Sequence, residues 1–236
     1  MPEPVSFTKS PSKFIKKICI FLLLLLISLP LSSCETVKHL IYTYDPLNFH
    51  VVKEGVLYRS AQPSGRDLQR VVEQYKIKSI INLRGAQPGK SWYDIEKKAS
   101  DKLGLERVDI WMSAGRLPHR DDLIRLLDAY KELPRPILIH CKAGADRTGE
   151  AAAMFALDHL GWSKREAAGQ LSPFYGHFPD FQPSKTYFMR EVYQGEAWAR
   201  NAYRPCQENY KHYKKGLYCG IEDSLRPFVL EFDDEQ

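Results

Sequence analysis

A cluster of residues with catalytic potential lies in the segment 140–149, which reads HCKAGADRTG. Five residues separate Cys141 from Arg147, a spacing at which the intervening backbone N–H groups can curl around one phosphate group. A helix that begins at the end of such a loop adds positive potential, and the Arg147 guanidinium can bind two phosphate oxygens at once. The segment therefore predicts an anion cradle with a sulfur nucleophile at its base.

The same positive field is expected to activate the thiol. Helix N-termini and nearby cations favour thiolate over thiol, so we expect a lowered pKa for Cys141. Thr148 can donate its hydroxyl to that sulfur or to the departing phosphate, and Gly144 and Gly149 permit a turn with positive φ and close helix packing. Cys141, Arg147 and Thr148 are thus predicted to be catalytic. The predicted phosphate-binding residues are Lys142, Ala143, Gly144, Ala145 and Gly149.

Loss of an alkoxide or phenoxide needs a proton from a side chain within hydrogen-bond reach. Asp109 lies near the end of a predicted strand, 32 residues before Cys141, and Asp146 lies inside the cradle. Each has a structural alternative: a neighbouring helix can hold Asp109, and an ion pair can make Asp146 orient the loop. Both remain open as the general acid, with three candidates behind them: His119, Asp121 and Asp122.

The elements around the cradle alternate between strand and helix. Short apolar segments between breakers predict strands at 55–58, 78–83, 105–111 and 136–140. Helical periodicity predicts helices at 67–75, 91–103, 120–133 and 149–160, and Ser163 with Glu166 forms a capping box. The alternation predicts an α/β fold with a central, mainly parallel sheet flanked by helices, and a ligand site at the carboxyl ends of the strands.

The N-terminal region reads as an export signal. Residues 18–29, ICIFLLLLLISL, follow two lysines and are too short to span a membrane comfortably, so residues 1–33 are predicted to direct export. Residues 31–34, LSSC, resemble the bacterial lipobox. The resemblance implies a lipid on Cys34, a tether over 34–47 and a membrane-anchored domain facing the periplasm or the cell exterior. An uncleaved signal anchor with an ordinary Cys34 thiol is the alternative.

Three cysteines lie in the part expected to fold: Cys141, Cys206 and Cys219. Export permits disulfides, and the short loop between Cys206 and Cys219 favours a bridge that pins a C-terminal appendage. These cysteines lack the C-x-x-C spacing of metal sites, so neither a metal nor another cofactor is expected. A net charge of +5, with no basic stripe among interleaved aromatics, gives no indication of nucleic-acid binding.

In its strand-to-helix setting, segment 140–149 resembles the signature of the protein tyrosine phosphatase superfamily, dual-specificity branch. Segments 48–63 (NFHVVKEGVLYRSAQP), 80–84 (IINLR) and 170–172 (QLS) are similar to atypical bacterial members. The resemblance implies a phosphatase domain over 48–195, followed by an appendage over 196–236. It also implies Cys141 as nucleophile, Arg147 as phosphate clamp and a phosphocysteine intermediate. The loop 111–116 lacks the acid that the family usually carries there.

The sequence therefore predicts an exported, cysteine-dependent phosphate monoester hydrolase whose partners are a phosphorylated protein, inositol or lipid and the membrane. The alternatives are a phosphate-binding module with poor turnover and a redox thiol at Cys141. Lys142 is open between a second-phosphate or lipid-headgroup contact and a solvated lysine. Arg59 and Arg84 are open between lining the pocket and making backbone or ion-pair contacts. His177 is expected to be a packed loop histidine.

Overall fold

The computed structural model describes residues 46–220. The predicted export signal, the lipidation of Cys34 and nearly all of the tether lie outside this range. Within it, no helix has the length and apolarity needed to cross a membrane.

A five-stranded sheet forms the centre of the fold. Its strands are β1 (His50–Lys53), β2 (Leu57–Ser60), β3 (Ser79–Asn82), β4 (Glu106–Asp109) and β5 (Ile137–His140), in the order β1-β2-β5-β3-β4. All neighbouring pairs are parallel except β1 and β2. The predicted α/β class with a mainly parallel sheet is confirmed. The antiparallel strand β1 was not predicted, because its burial is confined mainly to Val52 and it therefore lacks a continuous apolar pattern.

Four longer helices surround the sheet: α1 (Gly65–Tyr75), α2 (Ser91–Lys102), α3 (Arg120–Glu132) and α4 (Asp146–His159). The Ser64 side chain caps α1 by accepting from the Asp67 N–H. The helix predicted at 149–160 begins three residues earlier, at Asp146, because the polar run Asp146–Thr148 forms its first turn. Asp146, Arg147 and Thr148 therefore belong to a helix N-terminus.

The central strand carries apolar side chains to both faces of the sheet. Ile137 and Ile139 join the larger hydrophobic cluster, whereas Leu138 joins the smaller one. This alternation follows from the two-residue period of a strand, and burial on both faces is typical of a parallel sheet. Strand β5 is therefore packed on both of its faces.

Shorter elements complete the described chain. They are α5 (Lys164–Ala168), a 3-10 turn (Pro173–Tyr175), α6 (Pro183–Tyr187), a π-helical turn (Phe188–Val192), α7 (Glu196–Asn201) and α8 (Lys215–Tyr218). The predicted capping box of Ser163 and Glu166 is present at α5, and a disulfide joins Cys206 to Cys219.

Residues 196–220 pack against the larger hydrophobic cluster. Tyr203, Tyr213 and Tyr218 are buried in the larger hydrophobic cluster, and the Tyr203 hydroxyl donates to the Pro118 carbonyl at 2.8 Å. The described part of the predicted appendage, residues 196–220, thus shares a hydrophobic core with the elements that precede it.

Candidate active site

The cradle begins at the centre of the sheet. Strand β5 ends at His140, which is in register with Ser60 of β2 and Asn82 of β3. Cys141 is the next residue, and a loop over 141–145 leads into α4. The site therefore lies at the carboxyl ends of parallel strands and at a helix N-terminus, where unpaired N–H groups and the helix dipole favour an anion.

Two glycines give the loop and the helix their close contacts. Gly144 has φ +71°, and a Cβ there would lie 2.6 Å from the Ala61 nitrogen. A Cβ on Gly149 would lie 2.8 Å from the Gln170 carbonyl oxygen. The positive φ and the close helix packing are the backbone roles expected for these two glycines.

Arg59 holds the loop from below. Its buried guanidinium donates to the Gly144 carbonyl at 2.7 Å and to the Gln170 side-chain oxygen at 2.8 Å, and it lies over the Tyr175 ring at 4.0 Å. Burial lowers the pKa of Arg59 to about 10, so it stays cationic at neutral pH. Of the two roles left open for Arg59, the structure shows the backbone-binding one.

Asn48 is a supporting residue that the sequence analysis did not identify. Its side-chain nitrogen donates to the carbonyls of Ala143 and Tyr175, each at 3.0 Å. Asn48 thereby links the cradle to the 3-10 turn 127 residues away in the chain. A buried asparagine in a loop has no local signal that distinguishes it from a surface turn residue.

The Cys141 thiol is 2% exposed and has no disulfide partner. Burial by itself raises the pKa of a thiol, but the charge of Arg147 and the nearby Thr148 hydroxyl and N–H outweigh it. The net result is a pKa of Cys141 below its ordinary value of 9.0. Thr148 is fully buried. This environment favours a thiolate nucleophile.

Arg147 and Arg84 bring two further guanidinium groups to this region. Arg147 is 8% exposed and donates to the Met112 carbonyl at 3.4 Å. Arg84 follows β3, donates to the Gln62 side-chain oxygen at 2.9 Å and stacks on Trp92. Both charges act on Cys141.

The Asp109 carboxylate is fully engaged in a structural network. Oδ1 accepts from Asn82 at 2.8 Å and from Arg107 at 2.8 Å, and Oδ2 accepts from the Tyr93 hydroxyl at 2.8 Å. Both oxygens are thus committed to donors on α2, β3 and β4. The alternative for Asp109 is that a neighbouring helix holds it; Tyr93 of α2 makes such a bond, and two strand residues hold it as well.

Asp146 has a different environment at the start of α4. Its Oδ1 is 2.7 Å from Nδ1 of the buried His177, whose Nε2 is 2.9 Å from the Thr186 hydroxyl. Among the described residues, no hydrogen bond to Asp146 Oδ2 is present. His177 is packed, as expected, yet its contact with a candidate general acid was not predicted, because 31 residues separate the two.

A buried network lies behind the cradle. Glu96 of α2 pairs with Arg107 and accepts from His140 Nε2 at 3.1 Å. Burial raises the pKa of Glu96, but the charges and hydrogen bonds of His140 and Arg107 outweigh burial and bring it to about 2. The ionised Glu96 carboxylate therefore positions His140, the residue before the nucleophile.

A second buried ion pair lies on the α4 side, where Lys185 Nζ is 2.9 Å from Glu150 Oε2.

The remaining residues predicted for the site lie at the start of α3 or are exposed to solvent. His119 Nδ1 accepts from the Asp121 N–H at 3.2 Å and caps α3, while Asp122 is buried in the first turn of that helix. The Lys142 side chain is exposed on the cradle loop. Within residues 46–220, no group of three or more His, Cys, Asp or Glu side chains is arranged to hold a metal ion.

Comparison with known families identifies this arrangement. A family model described as "DSP-PTPase phosphatase fused to NAD+ Kinase" matches residues 35–170, more than half of the 236-residue chain. The chain belongs to this DSP-PTPase family. The predicted resemblance to dual-specificity cysteine phosphatases is therefore confirmed, and the match includes every residue of the cradle.

Two curated relatives of this DSP-PTPase protein are phosphatases. The dual specificity protein phosphatase TpbA of Pseudomonas aeruginosa is 28% identical over 129 residues, 52% of this chain and 52% of TpbA. The tyrosine-protein phosphatase cdc-14 of Caenorhabditis elegans is 26% identical over 96 residues, 41% of this chain and 13% of that protein. The chain thus spans about half the length of TpbA. Both relatives belong to the predicted enzyme class, the phosphoric monoester hydrolases.

Solved structures show the same fold. The Siw14 catalytic core has a TM-score of 0.52 and 24% identity, covering 66% of this chain and 90% of that chain. The core catalytic domain of the PP-IP phosphatase SIW14 from S. cerevisiae, in complex with citrate, has a TM-score of 0.51 and 24% identity. It covers 62% of this chain and 85% of that chain. This likeness supports the α/β fold of the DSP-PTPase chain.

Proposed function

We propose that this protein hydrolyses phosphate monoesters through a phosphocysteine intermediate. The observation that carries the proposal is the environment of Cys141, a buried thiol with a lowered pKa at a helix N-terminus. A nucleophile, a phosphate clamp and a helix dipole that converge on one point form the constellation needed for covalent phosphoryl transfer. Family membership and the phosphatase relatives support the same reaction class.

In the first step the Cys141 thiolate attacks phosphorus, the S–P bond forms and the ester P–O bond breaks. Arg147 holds two non-bridging oxygens as charge develops on them. The leaving oxygen takes a proton from the general acid. In the second step water attacks phosphorus and gives a proton to the same carboxylate, the S–P bond breaks, and inorganic phosphate leaves with the thiolate restored.

We assign the general acid to Asp146 in preference to Asp109. The Asp146 carboxylate is bonded through Oδ1 to His177, so Oδ2 remains for proton exchange with the leaving group. Because an ionised carboxylate only accepts, His177 donates to Asp146 through Nδ1, and its Nε2 lies 2.9 Å from the Thr186 hydroxyl. Asp109 lacks such an unoccupied oxygen, since both of its oxygens accept from fixed donors.

The substrate class proposed is a phosphorylated protein, inositol or lipid outside the cytoplasm.

We also propose that the mature chain is exported and lipid-anchored through Cys34. The apolar run at 18–29 and the LSSC segment support export, and the Cys206–Cys219 disulfide fits an oxidising compartment. A Cys34→Ser change should abolish incorporation of labelled palmitate in cells, and persistent labelling would refute the anchor.

The catalytic proposal is tested by phosphate release from an aryl phosphate under reducing conditions. We expect turnover by the unmutated protein and none by Cys141→Ser. Rapid quenching in acid should trap a phosphorylated protein whose label is lost in Cys141→Ser. A folded, unmutated protein without turnover would refute hydrolysis and favour a phosphate-binding module.

A further inference from the structure

A second guanidinium, that of Arg84, lies beside the cradle. Arg84 follows β3 two residues after Asn82, which is in register with the residue preceding Cys141. Within residues 46–220 its side chain has one hydrogen bond, to Gln62, and no carboxylate within ion-pair distance. The Arg84 guanidinium therefore has donors left that an anionic ligand could bind.

The structure fixes Arg84 at both its backbone and its side chain. Asn82 accepts from the Arg84 N–H at 2.9 Å and donates to the Gly85 carbonyl at 2.8 Å, which forms a tight turn. The guanidinium lies 3.3 Å from the centroid of the Trp92 ring. This stacking holds the guanidinium plane in one orientation and limits its freedom before any ligand binds.

Gln62 connects Arg84 to the cradle itself. Its side-chain oxygen accepts from Arg84 at 2.9 Å, and its backbone N–H donates to the Lys142 carbonyl at 3.2 Å. The Gln62 amide nitrogen in turn donates to Glu96. One residue therefore joins the guanidinium, the cradle loop and the buried carboxylate.

The charge of Arg84 adds to that of Arg147. Burial and the Arg147 charge lower the pKa of Arg84 to about 10, while the charges of Cys141 and, beyond ion-pair distance, Glu96 oppose this shift. Arg84 therefore remains cationic at neutral pH and repels Arg147. Glu96 is already committed to His140 and Arg107. An anion that contacts both guanidinium groups would relieve the repulsion.

We propose that Arg84 binds a second phosphate group next to the one held by Arg147, so that the site prefers substrates with two neighbouring phosphates. The inference rests on the proposed function and names the substrate class for it. Lys142 is a poorer candidate for this role, because its side chain is exposed and has no orienting contact in the described structure. A stacked planar donor loses less freedom on binding than an exposed lysine does.

The test compares two phosphonates that cannot be hydrolysed, methylphosphonate and methylenediphosphonate, by calorimetric titration of the Cys141→Ser protein. We expect the diphosphonate to bind roughly ten- to a hundredfold more tightly, the range of a charge-assisted hydrogen bond. In the Cys141→Ser, Arg84→Gln double variant, the ratio of the two affinities should fall to near one. The matched control is Arg70→Gln, which removes an arginine exposed on α1 and should preserve the ratio.

A second arm separates adjoining phosphates in one diphosphate from phosphates on neighbouring carbons. It compares the monophosphate and the 1,2-bisphosphate of trans-cyclohexanediol with the same proteins. If Arg84→Gln abolishes the affinity ratio for only one of the two ligand pairs, that pair shows which arrangement of two phosphates the site binds. Arg84→Lys keeps the charge without the planar stacking, so it should fold and retain part of the ratio.

Two results would overturn the proposal: ratios for both pairs that survive Arg84→Gln, or a collapse caused by Lys142→Gln instead. Failure of the proposed function gives a different pattern. In that case the unmutated protein releases no phosphate from an aryl phosphate, although the affinity ratio still depends on Arg84.

Discussion

At the scale of single residues, the reactivity of Cys141 is decided by competing effects on one sulfur atom. Burial acts against the thiolate, whereas Arg147 and Thr148 act in its favour and prevail. Thr148 is the simplest of these to test, because valine has nearly the same shape without the hydroxyl.

We expect Thr148→Val to raise the pKa of Cys141, because the thiolate would lose the stabilising polar hydroxyl beside it. The acid limb of kcat/KM, where activity rises as the thiol ionises, should move to higher pH. Thr148→Ser keeps the hydroxyl and should leave the limb in place. The pH dependence of alkylation by iodoacetate measures the same pKa, and an unshifted profile in Thr148→Val would contradict this account.

The two candidate acids make opposite predictions for substrates with different leaving groups. Asp146→Asn should reduce hydrolysis of an alkyl phosphate about 10²- to 10⁴-fold, the usual contribution of general acid catalysis. An aryl phosphate with a good leaving group should lose far less. Steady-state rates with the two substrates give the ratio.

Asp109→Asn is the matched variant, because it changes the same group in the other candidate. It should lower thermal stability through the loss of its bonds to Arg107 and Asn82. Its ratio of alkyl to aryl phosphate rates should resemble that of the unmutated protein. If Asp109→Asn, and not Asp146→Asn, slowed hydrolysis of the alkyl phosphate more than that of the aryl phosphate, the general acid would be Asp109.

At the scale of elements, the close contact between α4 and the segment after α5 sets the position of Arg147. Gly149→Ala would place a Cβ 2.8 Å from the Gln170 carbonyl. We expect a net destabilisation of about 1–3 kcal/mol from overpacking, although alanine favours a helix by about 1 kcal/mol. Denaturant unfolding measures this free energy.

Gly216 offers a control, since it is also helical and a Cβ there meets nothing within 4 Å. Gly216→Ala should leave stability unchanged or slightly increased. Gly149→Ala should also lower turnover, because Gln170 binds Arg59 beneath the cradle. Full stability and activity in Gly149→Ala would show that α4 has room to shift.

The α2 helix contributes a pH-dependent contact through Glu96. Its pKa in the folded protein, about 2, is below the ordinary value of 4.5. The stabilisation is therefore fully present above about pH 4.5 and is lost as pH falls towards 2, by an amount on the order of 3 kcal/mol.

Glu96→Gln should lower stability at neutral pH and flatten the loss of stability between pH 4.5 and 2. Unfolding midpoints across this range are the measurement. Glu132→Gln, at the exposed C-terminal end of α3, should reproduce the pH dependence of the unmutated protein. An equally steep acid limb in Glu96→Gln would show that another carboxylate is responsible.

At the scale of the whole molecule, the disulfide closes a 13-residue separation and holds Tyr213 and Tyr218 in the core. The Cys206→Ser, Cys219→Ser double variant should lose about 2–4 kcal/mol in the free energy of unfolding. We expect kcat at low temperature to change little, because the cradle lies on other elements. Loss of activity before loss of fold would instead connect this segment to catalysis.

Local features of the sequence determined the cradle. The spacing of Cys141 and Arg147, the glycines and the strand-to-helix alternation act within one short segment or through simple periodicity. The main sheet and the class of chemistry were therefore predictable. The edge strand β1 was not, because one buried valine leaves no alternating pattern.

The tertiary structure decided between residues that look equivalent in sequence. Asp109 and Asp146 are both plausible acids until Tyr93 and Asn82 are brought to the first and His177 to the second. The role of Arg84 likewise depends on Trp92 and on the absence of an acidic partner in the described structure. A carboxylate or guanidinium is defined by its neighbours, and folding assembles those neighbours from distant parts of the chain.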